Sequence, residues 1–459
     1  MNKINAIVLA AGAGTRMKSK TPKVLHKISG VPLVGHVVDL LEVIKVAKIS
    51  VVIGHGREQV ETYLQSREGV NIVYQEQRLG TGHAVMMAKE TIKDDEDVLV
   101  LTGDTPLLRT ETVEALIAHH RNGNYDATVL TASFADPTGY GRIVRDASHL
   151  ITGIVEHRDA NDEQRLIKEI NSGIICMKGH LLTRFLDELK NDNVQGEYYL
   201  TDVIGLLSSN GYRVSGYIVE DTTEIMGINN RVQLAEADAI LQTRIKVAHM
   251  ENGVTFINPE SSYLEKYVRI DLDTTIEPGC VLRGRTVIGS DCVIGPNADI
   301  TNTEIKDAVE VKNSTLLDSM VASHTKIGPY AYLRPNSCIG EHVKIGDFVE
   351  VKNAVVGDGS KVSHLSYIGD GEIGKNVNIG CGVVFVNYDG KNKHKTTVKD
   401  GAFVGCNVNL VAPVTVEAGA YVAAGSTITK DVPEMSLGVA RAKQSNIEKW
   451  VEKKVHLKK

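Results

Sequence analysis

Leu9-Ala10-Ala11-Gly12-Ala13-Gly14-Thr15-Arg16-Met17 is the first stretch of the chain whose residue types could do chemistry. Its glycines let backbone N–H groups close around an anion, and a helix starting beyond them would add its positive end. Arg16 and Lys23, the latter in Pro22-Lys23-Val24-Leu25, place two cations near that loop, which suits a polyphosphate. The stretch lacks the GxxxxGK[ST] spacing of a P-loop, and Met17 stands where a dinucleotide fingerprint needs its third glycine. Asp104, in Leu101-Thr102-Gly103-Asp104-Thr105-Pro106, follows an apolar run and could hold Mg²⁺ against phosphates. Taken alone it would read better as the N-cap of a following helix; beside a phosphate loop the metal reading is favoured. The 6 cysteines never form CxxC, and no Cys/His cluster has zinc spacing. Neither a disulfide framework nor a structural metal is expected, and a reducing cytoplasm suits the chain.

These groups need elements to hold them. Ala6–Leu9, Ile49–Ile53, Val98–Leu101 and Ala127–Thr131 read as strands, with amphipathic segments such as Leu33–Val46 and Thr110–His119 between them. The alternation predicts a mostly parallel α/β sheet over residues 1–230, with ligands beyond the carboxyl ends of its strands. Ile4–Gly14 accordingly reads as a strand feeding a glycine loop rather than as a secretory leader. Arg231–Glu251 has helical patterning without glycine or proline and reads as a linker helix. At 459 residues the chain exceeds one ordinary core. Lys+Arg 51 against Asp+Glu 57 disfavours a nucleic-acid or anionic-membrane partner. No apolar run approaches the ~18 residues of a membrane span.

Beyond Glu251 the period changes. Apolar residues recur at every sixth position: Ile270, Ile276, Leu282, Ile288, Ile294 and Ile300, then Val321 to Val351, then Val404 to Ile428. Helices and ordinary strands do not have this period. A parallel β-helix does, one short strand and one turn per hexapeptide, so residues 252–437 should make about ten coils. Two phase breaks, 352–362 and 386–397, look like inserted loops, and such loops tend to carry function. The segment 438–459 is an arm holding Trp450 among lysines; a solvated helix is one reading, and a clamp on the phosphates of coenzyme A another.

The motif LxxGxGTRM…PKxL resembles that of the sugar-nucleotide pyrophosphorylases. With the β-helix, and with Ser363-His364-Leu365-Ser366-Tyr367, Asn378-Ile379-Gly380-Cys381-Gly382 and Val386-Asn387-Tyr388-Asp389-Gly390, the chain resembles the bifunctional bacterial family that acetylates glucosamine 1-phosphate and uridylylates the product. The resemblance implies a nucleotidyltransferase domain with a Rossmann-like mixed sheet, followed by a left-handed β-helix. It also implies UTP, acetyl-CoA and Mg²⁺ as ligands, a cytoplasmic homotrimer, and a product that feeds peptidoglycan or other envelope polysaccharide. A non-catalytic scaffold of the same two domains would be expected to lack Arg16, Lys23 and Asp104, which are all present.

Carried over residue by residue, the resemblance makes Leu9, Ala10, Ala11, Gly12 and Lys23 contacts of UTP, and Gln75, Gly80 and Thr81 readers of the uracil. Gly141, Glu156 and Asn171 would touch the sugar, Asn229 would be the second metal ligand beside Asp104, and His83 reads as helix surface. In the β-helix, Arg334, Lys352, Tyr367 and Asn378 would hold the sugar phosphate. Cys381, Asn387, Tyr388, Cys406, Ala424 and Arg441 would contact acetyl-CoA, both cysteines through backbone and with packed thiols. Amide formation needs a base to free the attacking amine, and His364 suits that task; Tyr367 could polarise the thioester carbonyl. The prism interior is filled by stacked Ile, Leu and Val, so coenzyme A must lie outside it, in a groove that a second prism alongside would close. The resemblance places His364 and Arg441 of one such site on different chains. The two activities should separate, a chain ending near residue 230 keeping nucleotide transfer.

Overall fold

In the computed structural model, which describes residues 3–455, the first apolar run forms the strand Ile4–Ala10. Its alternate side chains enter two cores. Ala6, Val8 and Ala10 pack with Val34 and Leu41 on one face, and Ile7 packs with Val85, Leu182 and Phe185 on the other. The sheet runs in the order Val214–Ile218, Ala127–Ser133, Glu169–Lys178, Asp97–Thr102, Ile4–Ala10, Lys48–Ile53, Val70–Tyr74. Glu169–Lys178 is antiparallel to both neighbours, and a hairpin of Arg142–Arg145 and Ile151–Val155 joins its edge. The other pairings in that order are parallel. Chain order reverses at Ile4–Ala10, which lies between Lys48–Ile53 and Asp97–Thr102, and such switch points open a crevice for ligands at the carboxyl ends.

The chain divides into two units, Met1–Leu241 and Gln242–Lys459, within the helix Arg231–Glu251. In the first unit Ala237 is fully buried in a cluster with Ile28, Leu33, Leu107 and Ile228. Asp238 accepts from the Ser29 N–H at 2.7 Å and its hydroxyl at 2.9 Å. A chain cut at residue 230 loses both contacts, and one cut at 241 keeps them. The longer fragment is therefore expected to unfold at a higher temperature and to retain more nucleotide transfer, as thermal melts and an assay of the two fragments would show.

The second unit opens with a cap. Gln242 Nε2 donates to the Leu264 carbonyl while its oxygen accepts from the Leu264 N–H, and Lys246 donates to the Pro259 and Ser262 carbonyls. These bonds satisfy the backbone of the first coil, which has no coil beneath it, as a solenoid requires at its ends. Above it rise three parallel sheets of 11, 10 and 9 strands, the walls of a left-handed parallel β-helix. The side chains at every sixth position point inward and share one core.

Rung length follows a local rule. In most rungs whose inward residues are six apart, with Gly284, two past Leu282, an exception, the left-handed residue of the turn sits three past the first, as at Asp273, Asp291 and Asn336. Where they are five apart it sits two past, at Asn302, Asn313, Asp318, Asn353 and Asp370, all Asn or Asp. Their short polar side chains tolerate that backbone, so the corner turns one residue early. This corrects the expectation at 352–362. Val351, Val356 and Val362 all stay inward and no loop leaves the prism; Asn353 merely shortens one rung. The break at 386–397 is a true insertion between Phe385 and Val398. There Asp389 accepts the Asn392 and Lys391 N–H groups and bonds His394 at 2.7 Å, which hold its carboxyl down to about 2.

Candidate active sites

The glycine loop leaves the end of Ile4–Ala10 and rims a cavity of about 480 Å³. Leu9 to Ala13 form one wall, and Gln75, Gly80 and Thr81 another; Lys23 and Asp104 also line it. Gly14 has φ +59°, and a Cβ there would lie 2.5 Å from the Lys23 Cβ, so glycine is what lets Lys23 approach. Lys23 Nζ bonds Asp104 Oδ2 and lies 3.3 Å from Asn229 Oδ1. The Asn229 amide is oriented for this, because its Nδ2 is spent on the Gly227 carbonyl. The backbone completes the arrangement, the Ile228 N–H donating to the Asp104 carbonyl at 2.9 Å. Arg16 is exposed in the turn Thr15–Met17 and does not line the cavity.

Gly80, with φ +109°, packs against the segment at Tyr198, where a Cβ would meet the Tyr198 carbonyl at 2.5 Å. The Gly82 N–H donates to that carbonyl, and the Leu200 N–H donates to Thr81 Oγ1. This docking brings Glu197 into the cavity wall, as the turn does Arg78. Neither residue was singled out in the sequence, where only the inclusion of Arg78 in the Gln75–Gly80 stretch pointed to it. His83 departs from its expected place. It lies on the helix Thr81–Met87 but is half-buried, its Nδ1 3.0 Å from Gln75 Nε2, and burial lowers its pKa. The half-buried ring lies beside the Gln75 carboxamide and finds its partner there.

Gly141, Glu156 and Asn171 meet. A Cβ on Gly141 would lie 3.5 Å from Glu156 Oε1 and 3.6 Å from the Asn171 Cβ. A register shift between Asn171 and Ile175 bends the strand there, and Gly173 rests against Thr102 of the cavity wall. Burial pushes the Glu156 carboxyl up, and the charges of Asp159 and Asp202 add to it, against a bond from Thr201. A raised carboxyl binds its proton more tightly folded than unfolded, so its penalty is absent below the unfolded value and present above the folded one. Glu156→Gln is therefore expected to raise the melting temperature at neutral pH, a gain that shrinks as the pH falls toward the carboxylate range; calorimetry across pH checks it.

In the second unit one outer face carries the candidate groups. Tyr332, Glu350 and Tyr367 stack in register on successive strands of the 10-stranded sheet. Arg334 and Lys352 follow them at one corner, with Arg334 donating to Glu350 at 2.8 Å. Lys393 reaches Lys352 from the inserted loop and lowers its pKa, leaving a repulsion that an anion would relieve. Asn387, anchored to Asp370, lies 3.5 Å from the Tyr367 hydroxyl. Asn378 is on another face, in register with Lys361 and Phe403, and Tyr388 is exposed in the inserted loop.

The opposite corner of that face is a column. Asp347, His364, Cys381, Cys406 and Ala424 each stand two residues past an inward side chain, joined by backbone bonds from coil to coil. Arg441 completes it, donating to the Ala424 carbonyl at 3.0 Å. His364 Nδ1 is 2.5 Å from Asp347 Oδ1, and that hydrogen bond holds the Asp347 carboxyl below its ordinary range. The proton then sits on Nδ1 and leaves Nε2 as the basic nitrogen. Asp347 was not expected; the spacing of one coil between 347 and 364 could have found it. The cysteines are a correction. Cys406 is exposed and Cys381 half-buried, because side chains at corner positions point away from the prism. In the arm the helix Trp450–Val455 places Lys454 over the Trp450 ring at 4.6 Å, and residues 456–459 lie outside the described residues.

Among the described residues, no cluster of three or more His, Cys, Asp or Glu could hold a metal, and no helix is long and apolar enough to cross a membrane. A MobA-like NTP transferase domain model matches residues 6–171, and a GMPPB C-terminal domain model matches 318–388. The chain is 57% identical over 457 residues to the bifunctional protein GlmU of Alkaliphilus oremlandii, covering 100% of both chains. It is 53% identical to that of Alkaliphilus metalliredigens, covering 98% of this chain and 99% of the relative. It is 55% identical to that of Clostridioides difficile, covering 98% and 97%. A solved UDP-glucose pyrophosphorylase complexed with UDP-glucose is 19% identical with a TM-score of 0.44, over 53% of this chain and 100% of that one.

Proposed function

The chain belongs to the bifunctional GlmU family, and on that premise we propose how its two units divide the work. It is an enzyme of UDP-N-acetylglucosamine synthesis for the cell wall, which acetylates glucosamine 1-phosphate from acetyl-CoA and then uridylylates the product from UTP. Residues 1–230 hold the uridylyl site, and 252–437 with the arm 438–459 hold the acetyl site.

For uridylyl transfer, a phosphate oxygen of N-acetylglucosamine 1-phosphate attacks the α-phosphorus of UTP and pyrophosphate leaves. Such transfers depend on positioning and charge neutralisation. The observation that carries the reading is the convergence of Lys23, Asp104 and Asn229 on the cavity rimmed by the glycine loop. The loop N–H groups and Lys23 hold the phosphates, with Arg16 a second cation on the exposed turn outside the cavity. Gln75 with Gly80 and Thr81 faces the uracil, and Gly141, Glu156 and Asn171 face the sugar. Mg²⁺ fits here, since Asp104 Oδ2 and Asn229 Oδ1 are hard oxygens already turned toward one cation, the Lys23 ammonium. When bound it would neutralise phosphate charge.

For acetyl transfer, His364 Nε2 takes a proton from the amine, Arg334 and Lys352 hold the sugar phosphate, and Tyr367 donates to the thioester carbonyl. Acetyl-CoA runs along the corner column past Cys381, Cys406 and Ala424 to Arg441, and meets Asn387 and Tyr388 from the other corner of a neighbouring prism's face. Asn378 sits on a different face of the same prism, which supports a site completed by a second chain, as in a homotrimer. Incubating the protein with glucosamine 1-phosphate, acetyl-CoA and UTP tests the whole reading; UDP-N-acetylglucosamine is expected, and its absence refutes it. His364 and Arg441 share one corner column within a chain, so whether a completed site takes them from two different chains is tested by refolding an equal mixture of His364→Ala and Arg441→Ala chains. Random assembly pairs intact residues at about a quarter of the sites, so about that share of activity should return. No recovery in confirmed mixed trimers would place both residues on one chain.

A further inference from the structure

Gln75 contributes a buried carboxamide to the wall of the nucleotide cavity, and two neighbours use its amide nitrogen. Nε2 lies 3.1 Å from the Gly80 carbonyl and 3.0 Å from His83 Nδ1. The Gly80 carbonyl can only accept, so the nitrogen rather than the oxygen must face it. The same nitrogen faces His83, whose Nδ1 therefore accepts and carries no proton. Both amide hydrogens are then spent. Oε1 accepts from no described residue, so Gln75 presents an acceptor to the cavity.

Uracil and cytosine have nearly the same outline but opposite edges. Uracil offers a donor at N3, and cytosine offers an acceptor there with an amino group beside it. An acceptor locked in place pairs with the first and opposes the second. We propose that His83 is a positioning residue that holds the Gln75 carboxamide oxygen toward the base and thereby selects UTP over CTP. This rests on the reading of Gln75 as a base contact. Without the His83 acceptor only the Gly80 carbonyl still holds the amide nitrogen, so the flipped carboxamide, whose nitrogen can serve cytosine, costs one hydrogen bond less.

The test compares kcat/KM for UTP and CTP, with N-acetylglucosamine 1-phosphate as acceptor, in the intact protein and four variants. His83→Leu keeps bulk without an acceptor, and His83→Ala removes both. His83→Asn keeps an oxygen at the branch position of Nδ1. Gln75→Ala removes the reader. Loss of one hydrogen bond predicts that His83→Leu and His83→Ala lower the UTP/CTP ratio about tenfold. His83→Asn should recover most of it, and Gln75→Ala should lose at least as much as His83→Leu. If Gln75→Ala lowers the ratio while His83→Leu and His83→Ala keep it, His83 is not the positioning group, although Gln75 still reads the base. If Gln75→Ala keeps the ratio, the underlying reading falls and the proposal with it. Equal loss of UTP and CTP turnover in the His83 variants, with the ratio unchanged, makes His83 merely structural and also overturns the proposal.

Discussion

His364→Ala is expected to lower the acetyltransferase rate by ~10²–10⁴-fold, the usual contribution of a positioned general base, while uridylyl transfer continues at its normal rate. Only the unprotonated amine attacks a thioester, and the imidazole on the corner column is the group placed to take its proton. Asp347 sharpens the prediction. It holds the proton on Nδ1 at 2.5 Å, so Asp347→Asn, which can donate where the carboxylate only accepts, should favour the wrong tautomer. That variant should fall at least ~10-fold, with a smaller loss than His364→Ala and little change in the KM for acetyl-CoA. The wild-type pH profile should decline on the acid side as imidazole and substrate amine become protonated. Near-normal turnover of His364→Ala at neutral pH would remove the histidine from the mechanism.

Asp104→Asn is expected to reduce uridylyl transfer by ~10²-fold or more and to leave acetyl transfer intact. A carboxylate facing phosphates through Mg²⁺ contributes several kcal/mol of charge stabilisation, and each ~1.4 kcal/mol is a factor of ten. The amide keeps the shape and an oxygen but loses the charge, and it no longer balances the Lys23 ammonium beside it. EDTA should reproduce the asymmetry, stopping nucleotide transfer alone. Equal loss of both activities in Asp104→Asn would mean that the residue supports the fold, as its backbone bond to Ile228 does.

Much of this was legible from residues near one another in the chain. The period of six predicts the prism because each inward side chain belongs to a local turn, and every residue in those three runs lies in its core. The five-residue rungs were not legible, since Asn or Asp stands at six-residue corners such as Asp273, Asp291 and Asn336 as well as at each early one. The glycine loop and Lys23 are close in sequence, and the strict fit of Gly14 against Lys23 explains why the motif is short. In the first unit the pattern predicted the strands beside that loop. It missed Glu169–Lys178, whose reversed direction comes from pairing with strands far away in the chain.

What only tertiary structure decided is which groups meet across such distances. Lys23 reaches Asp104 because Ile4–Ala10 and Asp97–Thr102 are sheet neighbours, the Ile228 N–H bond to the Asp104 carbonyl brings Asn229 to them, and sheet order is not a local property. His83 turned out to be the partner of Gln75 rather than a surface residue, since the facing of one helix turn depends on what packs beneath it. In the β-helix, coil stacking carried Asp347 to His364 and the inserted loop carried Lys393 to Lys352. Stacking also left Cys406 exposed and set Asn378 on a separate face. The physical reason is common to all of them. Hydrophobic period and turn chemistry act over a few residues and specify the elements, whereas a site is made by side chains whose proximity depends on how whole elements and coils pair.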